Sequence, residues 1–165
     1  DLLIVVGGGS LPPSMYDRPH EDELQPNRDR MEEQVIHYCV AHGIPIIATC
    51  RGMQYINVMF GGKLWYHPRL PVARTRGMDH QVWLVKEQRN IWVNNYHSDC
   101  IYEEGLAPCF EPLAIDRENH VVEAYGSDEM KILALQWHPE RRFETANAYE
   151  ETRKIVLDFI QKHVK

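Results

Sequence analysis

An α/β fold, in which helices cover a mostly parallel central sheet, is what this 165-residue chain predicts. Three observations carry it. Leu2-Leu3-Ile4-Val5-Val6 and Ile44-Pro45-Ile46-Ile47-Ala48-Thr49 are short apolar runs without polar alternation, the pattern of strands covered on both faces. A single helical stretch lies between them, and strand–helix–strand order closes into a parallel βαβ unit. A third apolar run, Ile132-Leu133-Ala134-Leu135-Gln136-Trp137-His138, adds another buried strand late in the chain.

The first strand covers residues 1–6 and ends at Gly7-Gly8-Gly9. A polar loop over residues 11–26 follows, and loops of such length in compact domains are often functional lids. A helix is expected over 27–42. Its apolar face holds Met31, Val35, Cys39 and Val40, residues 28–33 are polar, and Gly43 stops it. After the second strand, a helix beginning just beyond Cys50 runs to Gly61-Gly62. Residues 63–66 form a short strand, and residues 68–79 are irregular and carry Arg69, Arg74 and Arg76. From His80 onward the chain is β-rich, with strands expected over 81–85, 91–94, 110–115 and 120–124. The last helix, over 146–162, has Tyr149, Thr152, Ile155, Val156, Phe159 and Ile160 on its apolar side. Residues 1–165 make one domain large enough to bury a real core. Because the chain opens directly on a strand, earlier elements of the fold are expected to be missing.

Composition narrows the function. A net charge of −6 argues against a general nucleic-acid binder, which carries a basic face. No apolar run reaches the roughly 20 residues a membrane span needs. The cysteines at 39, 50, 100 and 109 have no CxxC or zinc-like spacing, so reduced thiols, no metal and a cytoplasmic setting are expected. Cys39 reads as core, and Cys100 and Cys109 have no functional case. Arg69, Arg74 and Arg76 read either as a solvated run or as a grip on a phosphate-bearing leaving group.

Chemistry concentrates at Cys50. It stands where a strand turns sharply into a helix, with Gly52 relieving the crowded turn, which is the architecture of a nucleophile elbow. The helix N-terminus favours negative charge, so the thiolate is expected to form more easily. A cysteine nucleophile needs a base, and the base needs an orienting partner. His138 ends a buried strand before Pro139, which keeps its backbone extended, and Glu140 projects from the same side two residues on. Cys50 then attacks, His138 moves the proton and Glu140 holds the imidazole tautomer. The N–H groups of Gly8 and Arg51 supply the oxyanion hole. Taken alone, Cys50 is equally well read as a buried structural thiol, and Gly8 as a turn glycine. His67, His80 and His120 read as surface or supporting residues, and His97 as either a pocket residue or a polar strand end.

Three segments change that balance. Val6-Gly7-Gly8-Gly9, Ala48-Thr49-Cys50-Arg51-Gly52-Met53-Gln54 and Gln136-Trp137-His138-Pro139-Glu140 resemble the three signatures of class I glutamine amidotransferases. The Cys-Arg-Gly form, Pro13-Ser14-Met15-Tyr16 and Val93-Asn94-Asn95-Tyr96-His97 most resemble the γ-glutamyl hydrolase branch, which includes γ-glutamyl-GABA, folylpolyglutamate and γ-glutamyl-CDP-amidate hydrolases. The resemblance implies a flavodoxin-like three-layer sandwich with a mostly parallel sheet and β-rich insertions. It also implies a γ-glutamyl thioester on Cys50 and no cofactor. Gln54 helps hold the glutamyl head, and the backbone near Asn95, Tyr96 and His97 grips its α-carboxylate. The family has serine where Asn95 stands, and strands and a helix before the glycine strand. The function expected is hydrolysis of a γ-glutamyl amide to glutamate and an amine or amidate. A glutaminase subunit feeding a synthetase and a silent γ-glutamyl binder are the alternatives. The expected partners are a small γ-glutamyl substrate and either a second copy of the chain or an N-terminal fragment, with neither nucleic acid nor membrane.

Overall fold

The computed structural model describes residues 1–16, 24–66 and 77–164. Among the described residues, nine strands and three α-helices follow in this order: β1 (Leu3–Val5), α1 (Pro26–Ala41), β2 (Ile46–Thr49), α2 (Arg51–Met59), β3 (Trp65–Tyr66), β4 (Asp79–Leu84), β5 (Arg89–Asn94), β6 (Asp99–Cys100), β7 (Glu111–Asp116), β8 (Val121–Ser127), β9 (Ile132–Leu135) and α3 (Ala148–His163). The main sheet has seven strands in the order β1-β2-β9-β8-β7-β4-β5, and β3 pairs with β6 apart from it.

The α/β class holds, but the expectation of a mostly parallel sheet is corrected. Parallel pairing is confined to β1–β2 and β2–β9, and every other pair in the main sheet is antiparallel. The physical reason is connection length. Parallel neighbours need a long crossover, which α1 provides between β1 and β2, whereas β4–β5 and β8–β9 are joined by short turns that only antiparallel strands can use.

Period-2 alternation sorts side chains into two cores. Ile46 and Ala48 of β2 and Ile132 and Ala134 of β9 face one core with Ile36 and Cys39 of α1 and Met53, Tyr55 and Ile56 of α2. Ile47, Leu133 and Leu135 face the other, against Ile155, Val156, Phe159 and Ile160 of α3. Helices therefore lie on both faces, as in a three-layer sandwich. The apolar side read for α3 is right except at Tyr149, which is exposed. Two other readings are corrected. β1 is an edge strand whose Ile4 and neighbouring Val6 are more than half exposed, so it is covered on one face only. α1 buries Asp29, Ile36 and Cys39, while Met31 and Val35 are exposed, because ion pairing draws Asp29 inward and rotates the buried stripe. Cys39 is core, as read. No helix among the described residues is long and apolar enough to cross a membrane.

Register fixes where the functional groups emerge. Val5 pairs with Ala48, and Thr49 pairs with Leu135, so β1, β2 and β9 end side by side. At that same end the β4–β5 hairpin overhangs. All six residues of β4 pair with β5, but only Trp83 and Leu84 pair with β7. The unpaired remainder carries Asn94 and the segment after it beyond the end of β7.

Candidate active site

Cys50 follows Thr49 with φ 51° and ψ −110°, a left-handed backbone that a non-glycine residue adopts only under constraint. The constraint is visible on both sides. The Cys50 N–H donates to the Leu135 carbonyl at 2.7 Å, and its own carbonyl accepts from Gln54 N at 3.1 Å as the first turn of α2. Gly52 is required by crowding, since a Cβ there would collide with the Val5 carbonyl oxygen. The half-buried thiol therefore sits over the N-terminus of α2 at the carboxyl ends of three parallel strands.

His138 arrives from β9 and is nearly fully buried. Its Nδ1 lies 2.6 Å from Glu140 Oε1, an arrangement that fixes the N–H on Nδ1 and leaves the Nε2 lone pair available. Asn94 grips the backbone of the same residue twice, accepting from His138 N at 2.8 Å and donating to His138 O at 2.8 Å. Cys50 and His138 meet at Gly7. A Cβ on Gly7 would lie 2.7 Å from His138 Cε1, 3.2 Å from Cys50 Cβ and 3.5 Å from His138 Nε2. The sulfur-bearing side chain and the open edge of the imidazole thus border one small space, roofed by the glycine turn.

Electrostatics assign the resting protonation state. Burial pushes the Cys50 thiol up to about 11, against the opposing pull of the Arg51 backbone N–H on the sulfur and of the Arg141 charge. The expectation of an easily formed thiolate is corrected: desolvation outweighs the helix N-terminus. Burial also lowers the His138 pKa, although Glu140 opposes that shift. The resting pair is a thiol beside a neutral imidazole.

The residues expected to bind substrate lie close by. Tyr96 packs edge-on against the His138 ring at 5.6 Å, and the Arg141 guanidinium lies 4.5 Å over the Tyr96 ring. Asn95 is buried, and its Oδ1 accepts from His97 N at 3.3 Å. His97 is also buried, with Nδ1 3.0 Å from the Asp99 carbonyl. Gln54 points its amide to that carbonyl at 3.2 Å and to Gln136 Oε1 at 3.1 Å. Gly8 has φ +91° and faces open space. Arg69, Arg74, Arg76, His67 and most of the loop after Pro13 toward α1 lie outside the described residues. His120 is exposed beside Glu103, as read for a surface residue. Among the described residues no group of three or more His, Cys, Asp or Glu is placed to hold a metal ion.

Several residues escaped the sequence reading. Glu123 is fully buried, with Oε1 3.6 Å from both His80 Nε2 and His97 Nε2. Burial works against its charge, but the two imidazoles more than offset this and hold its carboxyl below the ordinary range. His80, partly buried beside Glu123 and with a raised pKa, fits the supporting half of its reading and not the surface half. Asn94 stood inside a quoted motif without a role. A buried asparagine at a strand end was the available signal, since its amide must find backbone partners. Arg28, Asp29 and Glu32 were read only as polar residues of the helix, without a role. Their alternating charge at helical spacing, facing Arg51 one element later, was the signal missed.

Comparison with known proteins places the chain among relatives. The peptidase C26 family model matches residues 1–140. Protein NtpR of Enterococcus hirae is 31% identical over 166 residues, covering 85% of this chain and 66% of that protein. The γ-glutamyl-γ-aminobutyrate hydrolase PuuD of Escherichia coli is 27% identical over 157 residues, covering 79% and 60%. The chain therefore spans about two thirds of the length of these curated relatives. Among solved structures, a GMP synthase component from Thermoplasma acidophilum superposes with a TM-score of 0.67 at 23% identity, covering 98% of this chain and 71% of its own. That likeness speaks to the fold.

Proposed function

The chain belongs to the peptidase C26 family, and from that membership and the site geometry we propose that it is a hydrolase of γ-glutamyl amide bonds using Cys50, His138 and Glu140. The observation that carries the reading is the shared border at Gly7, where the strained elbow cysteine and the carboxylate-held imidazole face one space.

The chemistry follows from the protonation states. With Cys50 a thiol and His138 neutral, Nε2 accepts the thiol proton as sulfur bonds to the γ-carbonyl carbon. Charge develops on the carbonyl oxygen, where the Gly8 and Arg51 N–H groups receive it. Collapse breaks the C–N bond. The imidazolium returns its proton to the departing nitrogen, and the γ-glutamyl group stays on Cys50 as a thioester. Water attacks next, giving its proton to His138 Nε2, and collapse frees glutamate as the imidazolium returns that proton to the Cys50 sulfur. Glu140 keeps Nδ1 protonated and stabilises each transient imidazolium. Gln54 and the segment 95–97 hold the glutamyl head. The γ-glutamyl hydrolase named among the relatives favours this substrate class. Relatives that carry glutamine amidotransferase names point to a second reading, in which glutamine is cut and ammonia passes to a partner.

A panel of γ-glutamyl amides, glutamine included, separates the two. Glutamate release by the purified chain alone, lost in Cys50→Ala and His138→Ala and only weakened in Glu140→Gln, is the expected result. Turnover that persists in Cys50→Ala, or that requires a synthetase partner, overturns the proposal.

A further inference from the structure

We propose that Arg28 is a positioning residue, and that one ion lattice through Glu32 holds both halves of the oxyanion hole; this rests on reading the Gly8 and Arg51 N–H groups as its donors. Arg28 spends its donors unusually. Its Nη2 donates to the Val6 carbonyl at 2.5 Å. Its Nη1 donates to the Gly7 carbonyl at 3.2 Å, the Gly8 carbonyl at 2.9 Å and Gln25 Oε1 at 3.1 Å. Its Nε donates to Glu32 Oε1 at 2.7 Å. Three consecutive carbonyls of the glycine turn are thus drawn to one guanidinium.

A trans peptide sets each N–H opposite the preceding carbonyl. Holding the Gly7 carbonyl toward Arg28 therefore turns the Gly8 N–H away from it. Gly7 itself abuts Cys50 and His138, and the proposal sets the Gly8 N–H toward that side. A flexible triple-glycine turn has no side chains to set this orientation, so it must come from outside.

The same carboxylate reaches the second donor. Glu32 Oε2 accepts from Arg51 Nη1 at 2.6 Å, and Arg51 Nη2 is paired with Asp29. Arg51 is 1% exposed, so its charge must be matched, which fixes Asp29 and Glu32 as counter-ions. An exposed i,i+4 pair would stabilise a helix by only a few tenths of a kcal/mol. Here Arg28 and Glu32 are 20% and 11% exposed, and the pair links the end of β1 to the start of α2. Lysine cannot replace Arg28, since one ammonium with three donors cannot span three carbonyls and a carboxylate.

The test uses Arg28→Ala, Arg28→Lys and Glu32→Gln, with Arg30→Ala, an exposed site on the same helix, as control. Removing an oxyanion donor outright costs about 10²- to 10³-fold in kcat, so loss of its positioning should cost about 10- to 100-fold, with KM within about twofold. Two probes isolate the cause. Glutamate γ-semialdehyde forms a hemithioacetal with Cys50: sulfur bonds to the aldehyde carbon, and the carbonyl oxygen takes up charge and proton in the oxyanion hole. Its affinity should fall alongside kcat. Iodoacetamide alkylates Cys50 without developing an oxyanion, so in the Arg28 variants its rate at Cys50, read by peptide mass spectrometry, should not change. Arg28→Lys should resemble Arg28→Ala, and Arg30→Ala should match wild type. Normal kcat in the Arg28 variants overturns the inference while leaving the hydrolase standing. Equal losses in kcat and alkylation also overturn it, since they indicate a disordered elbow. A wild-type protein without γ-glutamyl turnover overturns both readings.

Discussion

Gly7→Ala adds a single methyl group at the point where Cys50 and His138, the proposed nucleophile and base, meet. The new Cβ would stand 2.7 Å from His138 Cε1 and 3.2 Å from Cys50 Cβ. Carbon atoms settle at about 3.5–4.0 Å, so the imidazole must retreat by about 1 Å. It has little room to do so. Glu140 holds Nδ1 at 2.6 Å, Asn94 ties the backbone at both N and O, and the Tyr96 ring lies against it. A displacement of about 1 Å at a reacting group costs about 10²-fold, so kcat should fall by about that factor. Overpacking costs about 1–3 kcal/mol, which for a chain of this size lowers Tm by roughly 2–12 °C and leaves the protein folded at 25 °C. Gly7 is not among the left-handed glycines, so the backbone itself tolerates alanine. Steady-state glutamate release and a circular dichroism melt on the same preparation give both numbers. A folded Gly7→Ala protein with wild-type kcat would show that His138 does not work from the position described, and the proton-transfer assignment would fall with it.

Two further predictions test the protonation state and the clamp. Alkylation of Cys50 by iodoacetamide should be slow at neutral pH and climb toward pH 11, because burial raises the thiol to about 11; a rate already at plateau near pH 6 would reveal a thiolate–imidazolium pair instead. The acid limb of kcat/KM should lie below the ordinary histidine value of about 6.5, since a lowered His138 pKa keeps the base neutral to lower pH. Asn94→Ala removes two buried hydrogen bonds to His138, each worth about 1 kcal/mol net and more when the partner is left unsatisfied. A loss of about 2–3 kcal/mol in chemical denaturation, with kcat reduced, is expected, and unchanged stability would show that the clamp holds nothing.

The parts of the fold legible in the sequence were those decided locally. Cys50 was recognisable because an apolar run, a cysteine and Gly52 together describe a strand-to-helix turn, and the crowding at Gly52 is a property of that turn alone. His138 and Glu140 were readable because Pro139 fixes the local backbone and two-residue spacing puts both on one side. What stayed hidden depends on partners distant in sequence. The apolar stripe Met31–Val35–Cys39 fits a helix as well as the true one, and only the Arg51 charge reveals why Asp29 lies inward. Strand direction beyond β9 depends on turn lengths that apolar patterning does not report. The Cys50 pKa was misjudged because the helix terminus is visible in sequence and the depth of burial is not.

The division of the sheet separates chemistry from selection. Cys50, the glycine turn and His138 all leave the ends of β2, β1 and β9, whose parallel register fixes their spacing backbone to backbone. The residues proposed to meet the glutamyl head come from the overhang beyond β5, which reaches the site from the far edge of the sheet. The two are joined by the paired hydrogen bonds of Asn94 to His138 and by the Tyr96 ring against the imidazole. Glu123, at the head of β8 between the halves, holds His97 of the overhang and His80 of β4 to one buried charge. A substrate head bound against residues 95–97, as proposed, would act on His138 through contacts already made. A hairpin hung from the far edge of the sheet lets the segment 95–97 vary without disturbing the spacing of Cys50 and His138.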